Sequence, residues 1–241
     1  MGNVSRIEGL TVLNGIVLVD KAPGWTSHDV VAKCRGLLRE KKIGHGGTLD
    51  PMATGLLVLF VGPATKLVSR LPGEKTYLAS FRFGMETDTY DTDGNIVRTY
   101  ENIPAVENLH TILPYYTGNI QQIPPMVSAV KVGGKRLYEL ARKGIEIERK
   151  PRPVTVYELA WLCEKDGEHT VRVRCSAGTY VRSLIHDMGR ELGSGAVMTA
   201  LRRIRSGPFD VEDAVPVGQV AAERVMPPPD FGHTAGAGDA L

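Results

Sequence analysis

The chain has 241 residues, 42% hydrophobic and 23% charged, which is ordinary globular usage and enough to bury a core in one large domain or two small ones. Only 6% of residues are aromatic and no apolar run nears the roughly 18 residues of a spanning helix, which excludes a helical membrane protein, and three cysteines without a CxxC pair exclude a disulfide framework or a thiolate zinc site. The net charge of +2 hides an uneven distribution: residues 131–205 carry 16 basic and 9 acidic groups, whereas the last 36 residues set one arginine against six carboxylates, a pattern that fits a polyanion partner or solvated charged faces equally.

Residues 1–13 have no apolar h-region and no small-residue cleavage site, so a reducing cytoplasm is the expected compartment and the Asn3-Val4-Ser5 sequon is idle. The β-branched run at 15–19, closed by Pro23-Gly24, predicts a strand entering a turn. Ser27 as N-cap, Asp29 in the first turn and apolar residues at 30, 31, 34, 37 and 38 predict a helix that delivers the chain to a glycine-rich loop at 44–47. A strand at 56–61, a short helix at 64–71 and an alternating strand at 77–83 follow, with a turn at 91–94. Pro104 opens a helix to about 113, and Pro124-Pro125 breaks the chain before a strand-like run at 127–132 and a turn at Gly133-Gly134. The pattern then gives a short helix at 136–143, strands at 145–149, 153–163 and 169–175, a helix at 180–192 capped by Thr179 and ended by Gly193, and a strand at 197–205. Hairpin-length connections among irregularly alternating elements imply a mixed α+β fold with a largely antiparallel central sheet and flanking helices. From Pro227 onward too few large apolar groups remain to pack, so a disordered tail is expected.

Most functional motifs are absent. The acidic cluster at 86–93 fails as an EF-hand, because the frame ending at Gly94 puts Tyr100 where the bidentate glutamate belongs. No P-loop, no GxGxxG and no histidine pair at metal-ligand spacing occur, so neither a cofactor nor a metal is implied. What remains is Gly44-His45-Gly46-Gly47-Thr48-Leu49-Asp50-Pro51-Met52-Ala53-Thr54-Gly55. Its four glycines permit close approach of another chain, and its one carboxylate sits before a proline that restricts it. A glycine-rich loop with one aspartate is, by itself, more often a turn than an active site.

The order of residues in this loop closely resembles the catalytic signature of the bacterial tRNA pseudouridine synthases that modify uridine 55 of the T-loop, the TruB family. The likeness recurs in Asn14-Gly15 with Asp20-Lys21 and Pro23-Gly24, in Gly62-Pro63-Ala64-Thr65-Lys66, in Lys75-Thr76-Tyr77 and in Gly84 with Thr87-Asp88-Thr89 and Asp91. It continues through residues 122–131 and 136–144, similar to the family's thumb-like insertion (about 122–150), and through Gly178-Thr179-Tyr180-Val181-Arg182-Ser183-Leu184 and Leu201-Arg202-Arg203. Two departures stand out. Gly46 occupies a place where the family often has threonine, and only 36 residues follow Arg205, where relatives commonly carry a PUA-type RNA-binding module of some 60–80 residues. The resemblance therefore implies a pseudouridine-synthase-type catalytic domain over 1–213 and, at 214–241, a short remnant without a full PUA module.

The resemblance implies a cofactor-free isomerisation: the N1–C1′ bond of uridine breaks, the uracil turns, and C5 is joined to C1′ with no net change in atoms. Asp50 is the implied nucleophile or base, since an aspartate carboxyl ordinarily titrates near about 3.9 and is ionised at neutral pH. Arg182 is the implied guanidinium beside it, and Tyr77 the ring on which the flipped base stacks, its hydroxyl placed to help remove the C5 proton. Tyr180 and Leu201 are implied to line the pocket and His45 to enter the T-loop. Lys66, Lys131, Arg142, Lys143, Arg202 and Arg203 would track phosphates. Each of these has a plain alternative as a core or solvated side chain, and Asp88 and Asp91 as turn caps. The implied partner is the T-stem-loop of tRNA, with no DNA or membrane role and a monomeric chain. Two other readings stay open: a non-catalytic T-arm binder that assists tRNA folding, and a guide-RNA-dependent relative. Joint presence of Asp50, Tyr77 and Arg182 favours the enzyme.

Overall fold

The computed structural model describes residues 5–7, 10–128, 130–141 and 143–231; the idle sequon's Asn3, Arg142 and the end of the tail (232–241) lie outside the described residues. In chain order, β1 (Ser5–Ile7) and β2 (Leu10–Val12) pair as a short hairpin ahead of β3 (Gly15–Lys21), α1 (Ser27–Leu38), β4 (Ile43–His45) and β5 (Thr54–Val61). Next come β6 (Lys75–Phe83), the hairpin of β7 (Met85–Thr87) and β8 (Ile96–Thr99), α2 (Val106–Ile112), β9 (Gly118–Gln122), the hairpin of β10 (Lys131–Val132) and β11 (Lys135–Arg136), and α3 (Leu137–Ala141). The chain continues through β12 (Arg152–Lys165), β13 (Glu168–Cys175), α4 (Val181–Glu191), β14 (Ala196–Ser206), β15 (Phe209–Asp210) and β16 (Val215–Pro216). It divides into two units, Met1–Gly73 with Arg202–Leu241, and Glu74–Leu201. Both are α+β with mostly antiparallel pairing.

In the first unit β3 runs antiparallel to β5 from Gly15↔Val61 to Lys21↔Gly55. Arg202 and Arg203 of β14 pair in parallel with Thr54 and Gly55, and Val215 of β16 pairs in parallel with Val19. The apolar run of β5 is uninterrupted because both faces of the sheet are covered, which is why it does not alternate. Val17, Val19, Leu57, Leu59 and Val61 meet Val30, Val31, Cys34 and Leu38 of α1, whereas Ile16, Leu18, Leu56, Val58 and Phe60 meet Ala64, Leu67, Val68 and Leu71. The period of two along a strand sends alternate residues to opposite layers, so one run serves two cores.

Several expectations need correction here. The short helix at 64–71 is a 3-10 helix, Gly62–Arg70, with Pro63 in its first turn. α1 is capped by Thr26, not Ser27: Thr26 Oγ1 accepts from the Asp29 N–H at 3.0 Å and the Asp29 carboxylate accepts from the Thr26 N–H at 2.9 Å, a capping box. The segment from Pro227 is not loose throughout, because Phe231 packs on Phe60 and Phe209 at ring-centroid distances of 6.4 and 6.3 Å.

In the second unit β6, β13, β12 and β9 form an antiparallel series, with Tyr77 opposite Val173 and Val154 opposite Ile120. Its buried face carries Tyr77, Ala79, Phe81, Phe83, Val171, Val173, Val154 and Val156, and α4 contacts β6 while burying Leu184, Ile185 and Met188. The strand expected at 127–132 shrinks to Lys131–Val132, since the chain turns at Met126–Ser128 behind the two prolines, and no strand forms at 145–149. The cap of α4 is Tyr180, without a side-chain hydrogen bond, not Thr179. Strand β9 and the β7–β8 hairpin answer to no expected element. Among the described residues no helix is long and apolar enough to cross a membrane.

Candidate active site

Asp50 stands half-buried in the loop that joins β4 to β5, and the loop's main chain is held from three sides. The wholly buried Lys21, last residue of β3, donates its ammonium to the carbonyls of Ala22 (3.0 Å), Trp25 (2.7 Å) and Pro51 (3.0 Å). Ser27 Oγ accepts from the Leu49 N–H at 2.8 Å and donates to the Leu49 carbonyl at 3.1 Å, which explains why this buried hydroxyl does not cap its own helix. Arg203, on β14, donates to the carbonyls of Gly47 (3.1 Å), Thr48 (3.3 Å) and Leu56 (2.7 Å). Asp50 itself accepts from the Ala53 N–H through its carbonyl at 3.1 Å, closing a turn.

Glycine is required at Gly55, and at Gly46 it has a packing reason. Gly55 has φ +98°, and a Cβ there would lie 2.3 Å from the Arg203 carbonyl oxygen. At Gly46 a Cβ would lie 2.4 Å from Leu71 Cδ2 and 3.1 Å from Phe60, so a threonine at this position needs Leu71 to move. The departure from the family pattern at Gly46 thus has a packing partner.

Burial pushes the Lys21 ammonium down to about 8, with Asp50 opposing the shift and Arg203 adding to it. Burial likewise lowers the half-buried His45 in β4, again helped by the Arg203 charge, which favours its neutral imidazole. Lys66 is exposed on the 3-10 helix. The expected phosphate role of the arginine pair is not supported: Arg203 is 1% exposed, and Arg202 is forked onto Asp20, Nη1 to Oδ1 at 3.1 Å and Nη2 to Oδ2 at 2.8 Å.

In the second unit Arg182, on the first turn of α4, is 2% exposed. Its guanidinium meets Asp91 Oδ2 at 3.2 Å and the carbonyls of Thr89 and Val127, both at 3.0 Å. Asp91 is therefore more than a turn cap. Its carboxyl is raised by burial and pulled back by the Thr89 hydroxyl and Arg182, while Asp88 only ties the loop through the N–H and side-chain amide of Asn95. Tyr90, between them, has φ +67° and stacks on His186 of α4 with 3.8 Å between ring centroids. Tyr180 is fixed by the Gln122 amide, which accepts from its N–H at 2.8 Å and donates to its carbonyl at 3.0 Å. Tyr77 and Leu201 are buried on β6 and β14, and Lys131 is exposed in the β10–β11 hairpin.

Asp50, His45 and Lys66 thus belong to the first unit and Tyr77, Lys131, Tyr180, Arg182 and Leu201 to the second. Reasoning from sequence does not find the holding roles of Lys21, Ser27, Arg203, Asp91 and Gln122. Lys21 and Arg203 stand inside matched motifs, but nothing local marks a lysine or arginine as buried.

Residues 35–181 match the family model described as TruB family pseudouridylate synthase (N terminal domain), and residues 182–226 the one described as tRNA pseudouridylate synthase B C-terminal domain. The chain is 47% identical over 221 residues to the tRNA pseudouridine synthase B of Syntrophotalea carbinolica, covering 90% of this chain and 71% of that protein. It is also 47% identical over 226 residues to the protein of the same name from Thermobifida fusca, covering 89% and 77%. Among solved structures it resembles a chain of a Cbf5-Nop10-Gar1 complex (TM-score 0.67, 32% identity, 90% of this chain and 59% of that one). A second likeness is to a chain of an H/ACA RNP bound to a substrate RNA containing 2'-deoxyuridine (TM-score 0.62, 29% identity, 90% and 58%).

Proposed function

The chain belongs to the TruB family of tRNA pseudouridine synthases, and from that premise we propose that it isomerises uridine 55 in the T-loop of tRNA to pseudouridine. The observation that carries this reading is Asp50: a carboxylate in a loop whose main chain is held before it by Arg203, beside it by Ser27 and after it by Lys21. Such a loop keeps a reactive group still, which suits a carboxylate that must meet one atom of a flipped nucleotide.

In this reading the N1–C1′ bond breaks with the electron pair leaving on uracil, and Asp50 serves either as the nucleophile or as the base that opens a glycal route. The uracil turns, C5 bonds to C1′, and the C5 proton is transferred to N1, so atoms balance without a co-reactant. Tyr77 supplies the stacking ring and the hydroxyl near C5, and Arg182, fixed by Asp91 and two carbonyls, supplies a positive charge that favours an ionised carboxylate. His45, Tyr180 and Leu201 contact the nucleotide or its loop, and Lys66 and Lys131, both exposed, meet phosphates. An RNA partner is further supported by the likeness to a protein solved on a substrate RNA. The chain acts as a monomer in a reducing compartment, where Cys34, Cys163 and Cys175 stay free thiols.

The test is an unmodified tRNA transcript incubated with the protein and mapped by carbodiimide-dependent primer stops. A stop at position 55, absent when that position is cytidine, is expected. Tight binding with no stop would favour the non-catalytic T-arm binder, and a stop at another uridine would assign a different target.

A further inference from the structure

Arg203 is the bulkiest of the fully buried side chains, at 1% exposure, and a cation. Among the described residues its acceptors are three main-chain carbonyls, with Nε on Leu56, Nη1 on Thr48 and Nη2 on Gly47. Withdrawing a guanidinium from water is costly unless its donors are met with good geometry. Here the planar fork meets acceptors on both sides of Asp50, two and three residues before it and six after it. Because the fork is rigid, it sets the three peptide planes relative to one another.

The other two anchors of the loop have divided duties. Lys21 also holds the carbonyls of Ala22 and Trp25 ahead of α1, and Ser27 is itself the first residue of α1. Among the described residues the Arg203 side-chain bonds reach only the loop and the start of the strand β5 that follows it, so altering this side chain perturbs the Asp50 segment most selectively. Its charge is also felt there: it contributes to the lowered pKa of both His45 and Lys21.

We propose that Arg203 is a positioning residue for Asp50, lacing Gly47 and Thr48 to Leu56 so that the carboxylate is presented in one place, and that it has no part in holding phosphate. The proposal rests on the reading of Asp50 as the reacting group. A lysine at 203 offers its N–H groups from a single point and cannot reproduce a planar fork whose Nε, Nη1 and Nη2 each face a different carbonyl, and a methionine donates to none.

The experiment compares the full chain with Arg203→Lys and Arg203→Met, measuring single-turnover rate on unmodified tRNA transcript, equilibrium binding of the same RNA and thermal melting. Arg203→Lys is expected to fold, to bind tRNA within about threefold of the unaltered protein, and to turn over roughly 10- to 100-fold more slowly, with Arg203→Met slower still. Unchanged rates in both variants would overturn the proposal. So would a tenfold loss of RNA affinity at an unchanged rate, which would return Arg203 to phosphate binding. If neither variant folds, amide exchange in the unaltered protein decides: the Leu49 and Ala53 amides should exchange as slowly as those of β5, and exchange at the rate of an open loop would refute the clamp. Failure of the underlying reading appears separately, as ordinary turnover by Asp50→Asn with Arg203 intact.

Discussion

Arg182 and Asp91 form a deeply buried ion pair, with side chains 3% and 6% exposed. The guanidinium is over-determined, holding Asp91 and the Thr89 and Val127 carbonyls at once, and Asp91 in turn accepts from the Thr89 hydroxyl and the Asp93 N–H. A buried pair of this kind contributes little beyond what packed apolar groups would, but removing one partner leaves the other charge buried and less well compensated. Asp91→Asn is therefore expected to destabilise the protein by about 3 kcal/mol in denaturant titration. Stability within about 0.5 kcal/mol of the unaltered protein would mean that the pair is not what anchors Arg182.

Lys21 ties the turn before α1 to the Asp50 loop through three carbonyls, and an ammonium has three N–H groups to give. Its pKa, lowered to about 8 by burial, puts loss of the third donor within reach of ordinary buffers. Turnover should fall as pH rises through about 8, with KM for tRNA unchanged. The sign for stability is opposite: the unfolded chain keeps this proton to 10.5, so between about 8 and 10.5 the unfolded state binds more protons and the folded state gains stability with rising pH. An alkaline limb that tracks unfolding would contradict the assignment; one accompanied by a rising melting temperature supports it. The same elements mark what sequence patterns reveal. The runs at 15–19 and 56–61 read as strands because β-branched density and turn residues at their ends are local facts. The choice of Thr26 over Ser27 as cap is not legible in sequence, because it depends on Leu49, 22 residues away, claiming the second hydroxyl.

Taken across the chain, part of the basic charge at 131–205 is spent internally. Arg172 pairs with Glu158, Arg174 with Glu74, Arg149 with Glu146 and Arg182 with Asp91, Arg202 is forked onto Asp20, and Arg203 is buried among carbonyls. Raw charge counts therefore overstate the free cationic surface, and the phosphate expectation for Arg203 fails for a physical reason: its acceptors lie 147 to 156 residues away, where no local pattern reports them. The family blocks, by contrast, are visible because their order is written in consecutive residues, and it is their resemblance to the family's signature that points to Asp50. The direct test of that residue is Asp50→Asn on unmodified tRNA transcript, an exchange that keeps shape and removes charge. Binding within about threefold of the unaltered protein and pseudouridine formation below about 1% of its rate are expected. Turnover well above that level would contradict Asp50 as the reacting carboxylate.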